Sequence, residues 1–163
     1  MNEWIIYAAV VTITFLGMEF VAWATHKYLM HGPLWFLHYD HHNKTKGFFE
    51  KNDAFFLIFA VPSWLCIMLG MMNENYISVS IGAGIALYGI TYAIVHEVFI
   101  HQRVKWLRNT NNLYFRAIRR AHKMHHKHLG KHYGESFGMI FIHPKYVKQE
   151  KEAQTKSKIS ANA

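Results

Sequence analysis

Apolar and polar residues are segregated along this chain into long blocks. Three blocks stand out: 4–25 (WIIYAAVVTITFLGMEFVAWAT), 54–72 (AFFLIFAVPSWLCIMLGMM) and 77–95 (ISVSIGAGIALYGITYAIV). Together they carry one charged residue, Glu19. Crossing a bilayer takes about 20 predominantly apolar residues, so each block predicts a transmembrane helix. A soluble buried helix is usually shorter, and one globule of 163 residues has little room to hide three of this length. The link NENY (73–76) is short, which makes the second and third spans an antiparallel hairpin. Pro62 is a candidate kink in the second span. The third is rich in small residues, Ser80, Gly82, Ala83, Gly84, Ala86 and Gly89, a composition that allows close helix contact in lipid.

Charge then orients the spans. All 18 Lys and Arg lie between Lys27 and Lys51 or between Arg103 and Lys158. The positive-inside rule places both segments in the cytoplasm and the N-terminus and the 73–76 link outside. The net charge of +8 is thereby explained by topology, and no nucleic-acid-reading motif accompanies it. The start MNEW lacks the positive region of a cleaved signal peptide, so the first block is expected to remain as a span. The single Cys66 sits in mid-span, so no intrachain disulfide is expected. Glu19, near the cytoplasmic end of its span, needs a partner or a polar cavity. The segment FGMIFIHP (137–144) is too short to span and is expected at the interface. Residues 147–163 are polar and lack aromatics, which predicts a disordered cytoplasmic tail. The expected fold is all-α: an integral membrane helical bundle with about three long spans and a helical, histidine-rich cytoplasmic cap. Residues 1–146 form a single membrane domain.

Histidine is the compositional outlier, at 13 of 163 residues, and neutral imidazole is the commonest metal ligand. Ten fall in four clusters on the cytoplasmic side. His26 and His31 follow the first span as H-x-x-x-x-H. His38, His41 and His42 form H-x-x-H-H. His96 and His101 repeat the first spacing after the third span, and His122, His125 and His126 repeat the second. On an α-helix, positions i, i+3 and i+4 share one face, so H-x-x-H-H projects three imidazoles to one side. H-x-x-x-x-H places its two about 140° apart on an ideal α-helix, where they embrace one site or serve two. Ten nitrogens exceed what one ion takes and suit two. Imidazole suits zinc, copper, iron and nickel, and the absence of nearby cysteine argues against a structural zinc finger. His128, His132 and His143 fit no cluster and are read as surface or supporting groups. Asp40, Asp53 and Glu97 lie beside the clusters and are candidates to orient the imidazoles. A metal transporter would need polar residues through mid-membrane, yet the second and third spans hold no acid or histidine. Regular clustering also argues against a passive histidine-rich scaffold.

The four clusters, with the words HKYLMHG, HYDHHNKTKGFFEKNDAF, HEVFIHQR, RAHKMHH and ESFGMIF, resemble the integral-membrane fatty-acid hydroxylase superfamily. More narrowly they resemble its bacterial β-carotene 3-hydroxylase branch, over about residues 17–142. The resemblance implies a membrane monooxygenase of the bacterial inner membrane with two non-haem iron ions. It implies His26, His31, His38, His41, His42, His96, His101, His122, His125 and His126 as ligands. One atom of O2 would enter C3 of a β-ionone ring, converting β-carotene through β-cryptoxanthin to zeaxanthin. Two electrons per hydroxylation would come from a ferredoxin-type donor, approaching the basic residues between Arg103 and Lys127. A sterol or fatty-acid hydroxylase would share the metal site and differ in its cavity. A fourth span, which some relatives are drawn with, is not found here.

Overall fold

A computed structural model describes residues 2–43, 47–106 and 109–161; Arg108, in the expected donor-facing basic segment, lies outside the described residues. Helix α1 (Glu3–Ala24) runs without a break into a π-helical turn, Thr25–Met30. The short helix α2 (Trp35–His42) follows. A 3-10 turn (Lys51–Asp53) leads into α3 (Ala54–Met72). Helix α4 (Tyr76–Tyr92) runs into a second π-helical turn, Ala93–Ile100. Helices α5 (Leu113–His125) and α6 (Pro144–Ala161) complete the cap. Among the described residues every regular element is helical.

The stretches Glu3–Met30, Lys51–Met72 and Tyr76–Ile100 are long and apolar enough to cross a membrane. The predicted windows 4–25, 54–72 and 77–95 fall inside them. The first and third continue past their apolar blocks and carry His26 and His96 on the same rod as the span. Helix α4 packs on both α1 and α3, and its small residues set the separation. A Cβ on Gly84 would come within 2.8 Å of Val11 O, and one on Gly82 within 2.7 Å of Ser63 O. Ser63, the residue after Pro62, donates its hydroxyl to Gly82 O at 2.7 Å. Ile5, Ile13, Phe20, Leu57, Ile58, Val61, Leu69, Leu87 and Ile90 are exposed on the outside of the bundle. So large an apolar surface suits lipid and would aggregate in water.

Glu19 ties the spans to the cap. Its Oε2 accepts the Tyr88 hydroxyl at 2.7 Å. Its Oε1 accepts the backbone N–H groups of Met139, Ile140 and Phe141 at 2.9, 2.8 and 3.0 Å. One buried carboxyl thus satisfies three loop donors, and an unmet donor here would be costly. The 137–141 segment, expected at the interface, is in this way folded back against the bundle.

The expected disordered tail after Val147 is instead the helix α6. Tyr146 is fully buried against Ala117 and Ala121 of α5. Glu150, only 3% exposed, takes Arg116 on one carboxylate oxygen at 2.6 Å and Arg120 on the other at 2.7 Å. A lone acid in a polar segment reads as solvated; here it neutralises two arginines from α5.

Candidate metal centre

The two H-x-x-x-x-H pairs lie on π-helical turns, which corrects the α-helical expectation. In a π-helix each N–H bonds to the carbonyl five residues back, so residues five apart sit nearly one above the other. His31 N bonds to His26 O at 3.0 Å, and His101 N to His96 O at 2.9 Å. The His26 and His31 ring centroids are 5.3 Å apart, and those of His96 and His101 4.6 Å. Each pair therefore presents both rings to one side. Gly32 permits the first turn to close: a Cβ there would lie 1.9 Å from Tyr28 O.

Ring nitrogens converge into two groups. His26, His31, His38, His42 and His125 offer atoms within 4.8 Å of one another, and so do His41, His96, His101 and His122. His126 stands beside the second group, its ring 4.9 Å from His101 and 4.5 Å from His122. Within the groups, Nε2 atoms face each other. The separations are 3.1 Å for His26 and His38, 3.3 Å for His31 and His125, 3.1 Å for His42 and His125, and 2.9 Å for His101 and His122.

The outer nitrogens decide what those facing atoms are. His26, His31, His42 and His125 turn Nδ1 to the backbone carbonyls of Phe137, Lys131, His128 and Glu135, each at 3.0 Å. His38 turns Nδ1 to Asn52 Oδ1 at 2.7 Å. His41 turns it to Glu50 Oε2 at 2.8 Å, and His96 to Glu97 Oε1 at 2.6 Å. A carbonyl or carboxylate oxygen only accepts, so Nδ1 carries the proton and Nε2 presents a bare lone pair. Burial, and then neighbouring imidazoles, hold these rings neutral: His125 is pushed down to about 2. Burial likewise lowers His38 to about 3 and His42 to about 4, and His41 and His122 well below the usual histidine range.

Lone pairs facing one another at such distances repel unless a cation lies between them. Two imidazole nitrogens bound at right angles to one ion at about 2.1 Å are about 3.0 Å apart, which matches the facing pairs. The buried Nε2 atoms of His41, His96 and His126 have no hydrogen-bond partner, as ligand atoms kept for a metal would be. The residues fit a metal.

Of the expected orienting acids, Glu97 does hold an imidazole. Asp40 and Asp53 do not among the described residues. Asp40 accepts the Lys51 N–H at 2.7 Å, because it points off the face that His38, His41 and His42 share. Asp53 accepts the Glu50 N–H at 3.0 Å and pairs with Arg103 at 2.9 Å. Glu50 and Asn52, which the sequence reading passed over, take the orienting role. The signal was present: Glu50 and Asp53 form a reciprocal cap of the 3-10 turn that opens α3, which fixes Glu50 and Asn52 beneath α2. His143, outside every cluster, accepts the Lys145 N–H at 3.1 Å. His128 contributes its backbone carbonyl, which accepts from His42 Nδ1.

A cavity of about 480 Å³ runs between the spans and ends on the first histidine group. Phe55, Phe59, Trp64, Tyr88, Tyr92 and Phe137 line it, and His26 and Asn52 close its end nearest the cap. A wider cleft on the cap, about 630 Å³, is lined by Arg116, Arg119, Arg120 and Lys123 and has no histidine in its wall.

Fold and site together describe a class: membrane-embedded helical proteins whose buried imidazoles are arranged to hold metal. Comparison with known proteins carries this further. The fatty acid hydroxylase family model matches residues 11–142, and the chain belongs to that family. It is 40% identical to the β-carotene hydroxylase of Pantoea ananas over 86% of this chain and 80% of that one. It is 35% identical to the β-carotene hydroxylase of Paracoccus sp. strain PC1, over 83% of each. A chloroplastic β-carotene 3-hydroxylase 2 of Arabidopsis thaliana is 34% identical over 68% of this chain and 37% of its own length. No solved structure matches the chain.

Proposed function

We propose that the protein hydroxylates C3 of the β-ionone rings of carotenoids, taking β-carotene through β-cryptoxanthin to zeaxanthin. The observation that carries this is the junction of an apolar, lipid-level cavity with the buried imidazole core at His26. The named relatives supply the substrate class. A ring C–H bond of this kind offers no acidic proton, so acid–base groups alone cannot cleave it. A redox metal supplies that chemistry and the protein positions the substrate. Zinc, which has no redox chemistry, would not serve, and iron is the metal that the resemblance to the hydroxylase family implies. His26, His31, His38, His42 and His125 would hold one ion, and His41, His96, His101, His122 and His126 a second. Each hydroxylation consumes one O2, two electrons and two protons; one oxygen atom enters the C–H bond and the other leaves as water.

The chain's own part is placement. The aromatic walls accept a ring that enters sideways from the bilayer, while the buried cap excludes bulk water. Phe137, held by the Glu19 anchor, packs against the His26, His31 and His125 rings and forms the floor of the cavity beneath them. The spans would lie in the bacterial inner membrane, and the distribution of Lys and Arg supports an orientation with the N-terminus outside and the histidines and C-terminus in the cytoplasm. There a ferredoxin-type donor approaches the cap. Arg116 is engaged by Glu150 and Arg119 lies over the Phe99 ring, so the exposed Lys123 and Lys127 are the cleaner docking groups.

Expression in bacteria that accumulate β-carotene, followed by pigment chromatography, tests the reading. Zeaxanthin and β-cryptoxanthin are expected. Unchanged β-carotene at verified expression, with active donor present, would reject it.

A further inference from the structure

The two histidine groups are backed by different chemistry. In the first group, four Nδ1 atoms meet backbone carbonyls and the fifth meets the neutral amide of Asn52. Glu135 lends its backbone oxygen there while Lys145 engages its carboxylate. In the second group, His41 and His96 meet the carboxylates of Glu50 and Glu97. Arg103 binds both from one position: Nη2 lies 3.0 Å from Glu50 Oε2, and Nε lies 2.7 Å from Glu97 Oε2. The same guanidinium reaches Asp53 at 2.9 Å. Its place follows from the chain. Gln102 adopts a left-handed φ of +56°, and the Arg103 N–H bonds back to Glu97 O at 3.0 Å. The π turn is thereby closed, with Arg103 folded under the histidines that it supports.

Three carboxylates face one guanidinium behind the second group, so it carries net negative charge. Among the described residues, the first group has none in direct contact with its rings. A carboxylate on Nδ1–H makes the opposite nitrogen a stronger donor, and loss of such a partner typically lowers metal affinity about 10–100-fold.

We propose that the two metal positions are inequivalent by construction. The position of His41, His96, His101, His122 and His126, backed by Glu50 and Glu97 under Arg103, takes the first ion and holds it more tightly. The carbonyl-backed position of His26, His31, His38, His42 and His125 fills second. Arg103 is a positioning residue, acting through the two carboxylates. The inference rests on the reading of the imidazole core as a two-metal site and adds an order of filling to it.

Anaerobic titration of metal-free protein in detergent with Co(II), followed by ligand-field absorption, tests it. Two steps are expected, the first tighter. Glu50→Gln and Glu97→Gln should each weaken the first step about 10–100-fold and leave the second in place. Asn52→Asp puts a carboxylate behind His38 and should tighten the second step about tenfold, which makes the test independent of any loss of folding in the other variants. His26→Ala should remove the second step. Equal steps in the wild type, equal weakening of both by the Gln variants, an unmoved second step in Asn52→Asp, or loss of the tighter step in His26→Ala would each overturn the proposal. Zeaxanthin formation by a protein with equal steps defeats this inference alone. Ordered filling without any hydroxylation defeats the proposed reaction alone.

Discussion

The membrane-spanning half and the histidine-rich cap are built on opposite plans. The spans expose Ile13, Leu57 and Leu87 and bring small residues together inside, whereas the cap buries a core of imidazoles, His38 and His125 at 1% and 0% exposure. Lipid is as apolar as leucine, so burying apolar side chains between spans contributes little there, and close backbone approach does the packing. In the cap, each buried nitrogen must be partnered or bound to an ion. The spans therefore tolerate change wherever they face lipid, while the imidazole core of the cap tolerates almost none.

The difference can be broken most severely at the imidazole core. His125→Ala should abolish hydroxylation, because His125 Nε2 faces both His31 and His42. His143→Ala should keep most activity. Pigment yield at matched expression decides between them, and equal yields would refute the division of histidines into core and surface.

Acid should attack the cap before the spans. His42, His38 and His125 are held down to about 4, 3 and 2 by burial, while histidine in an unfolded chain titrates near about 6.5. Between those values the unfolded state binds protons that the fold does not. Stability is therefore full above about pH 6.5 and falls progressively as pH drops toward the folded values. Protons also compete with metal for the same nitrogens. Thermal unfolding of metal-free protein at pH 7.5 and at pH 5 should show a clear drop, with metal release from the loaded protein over the same range. A flat profile would contradict the neutral, outward-protonated histidines.

Glu19 joins the two plans. Glu19→Ala strands three loop N–H groups and the Tyr88 hydroxyl, and hydrogen bonds to a charged group contribute about 1.5–3 kcal/mol each. A loss of about 3 kcal/mol or more in detergent is expected, with Glu19→Gln less affected. Within the membrane the contrast is finer. Gly84→Leu, forced against Val11 and Thr14, should cost about 1–3 kcal/mol. Leu57→Ala on the lipid face should stay within about 0.5 kcal/mol of wild type. Denaturation midpoints of the pair check this, and an equal cost would mean that Leu57 packs against protein.

How much of this was legible follows the same division. The spans were readable because apolar block length is a direct consequence of bilayer thickness, and the H-x-x-H-H clusters because α-helical spacing puts i, i+3 and i+4 together. The π turns were not, since nothing in THKYLM or AIVHEVFI distinguishes a five-residue hydrogen bond from a four-residue one until Gly32 and Arg103 are seen closing them. The acceptors for His26, His31, His42 and His125 are backbone carbonyls, which any residue supplies, so no side chain marks them. Asp40 misled by adjacency: the neighbour of His41 in sequence points away from it in a helix, and Glu50, nine positions on, accepts the Nδ1–H hydrogen bond. Helix α6 was hidden because Glu150 becomes a buried group only once Arg116 and Arg120 are opposite it.

The central claim is that these imidazoles hold two iron ions which serve one reaction. Iron analysis of protein purified anaerobically, together with hydroxylation assayed on the same sample, tests it most directly. Two iron atoms per chain are expected, with activity rising as the second is filled. Full activity at one iron per chain or fewer would contradict the account.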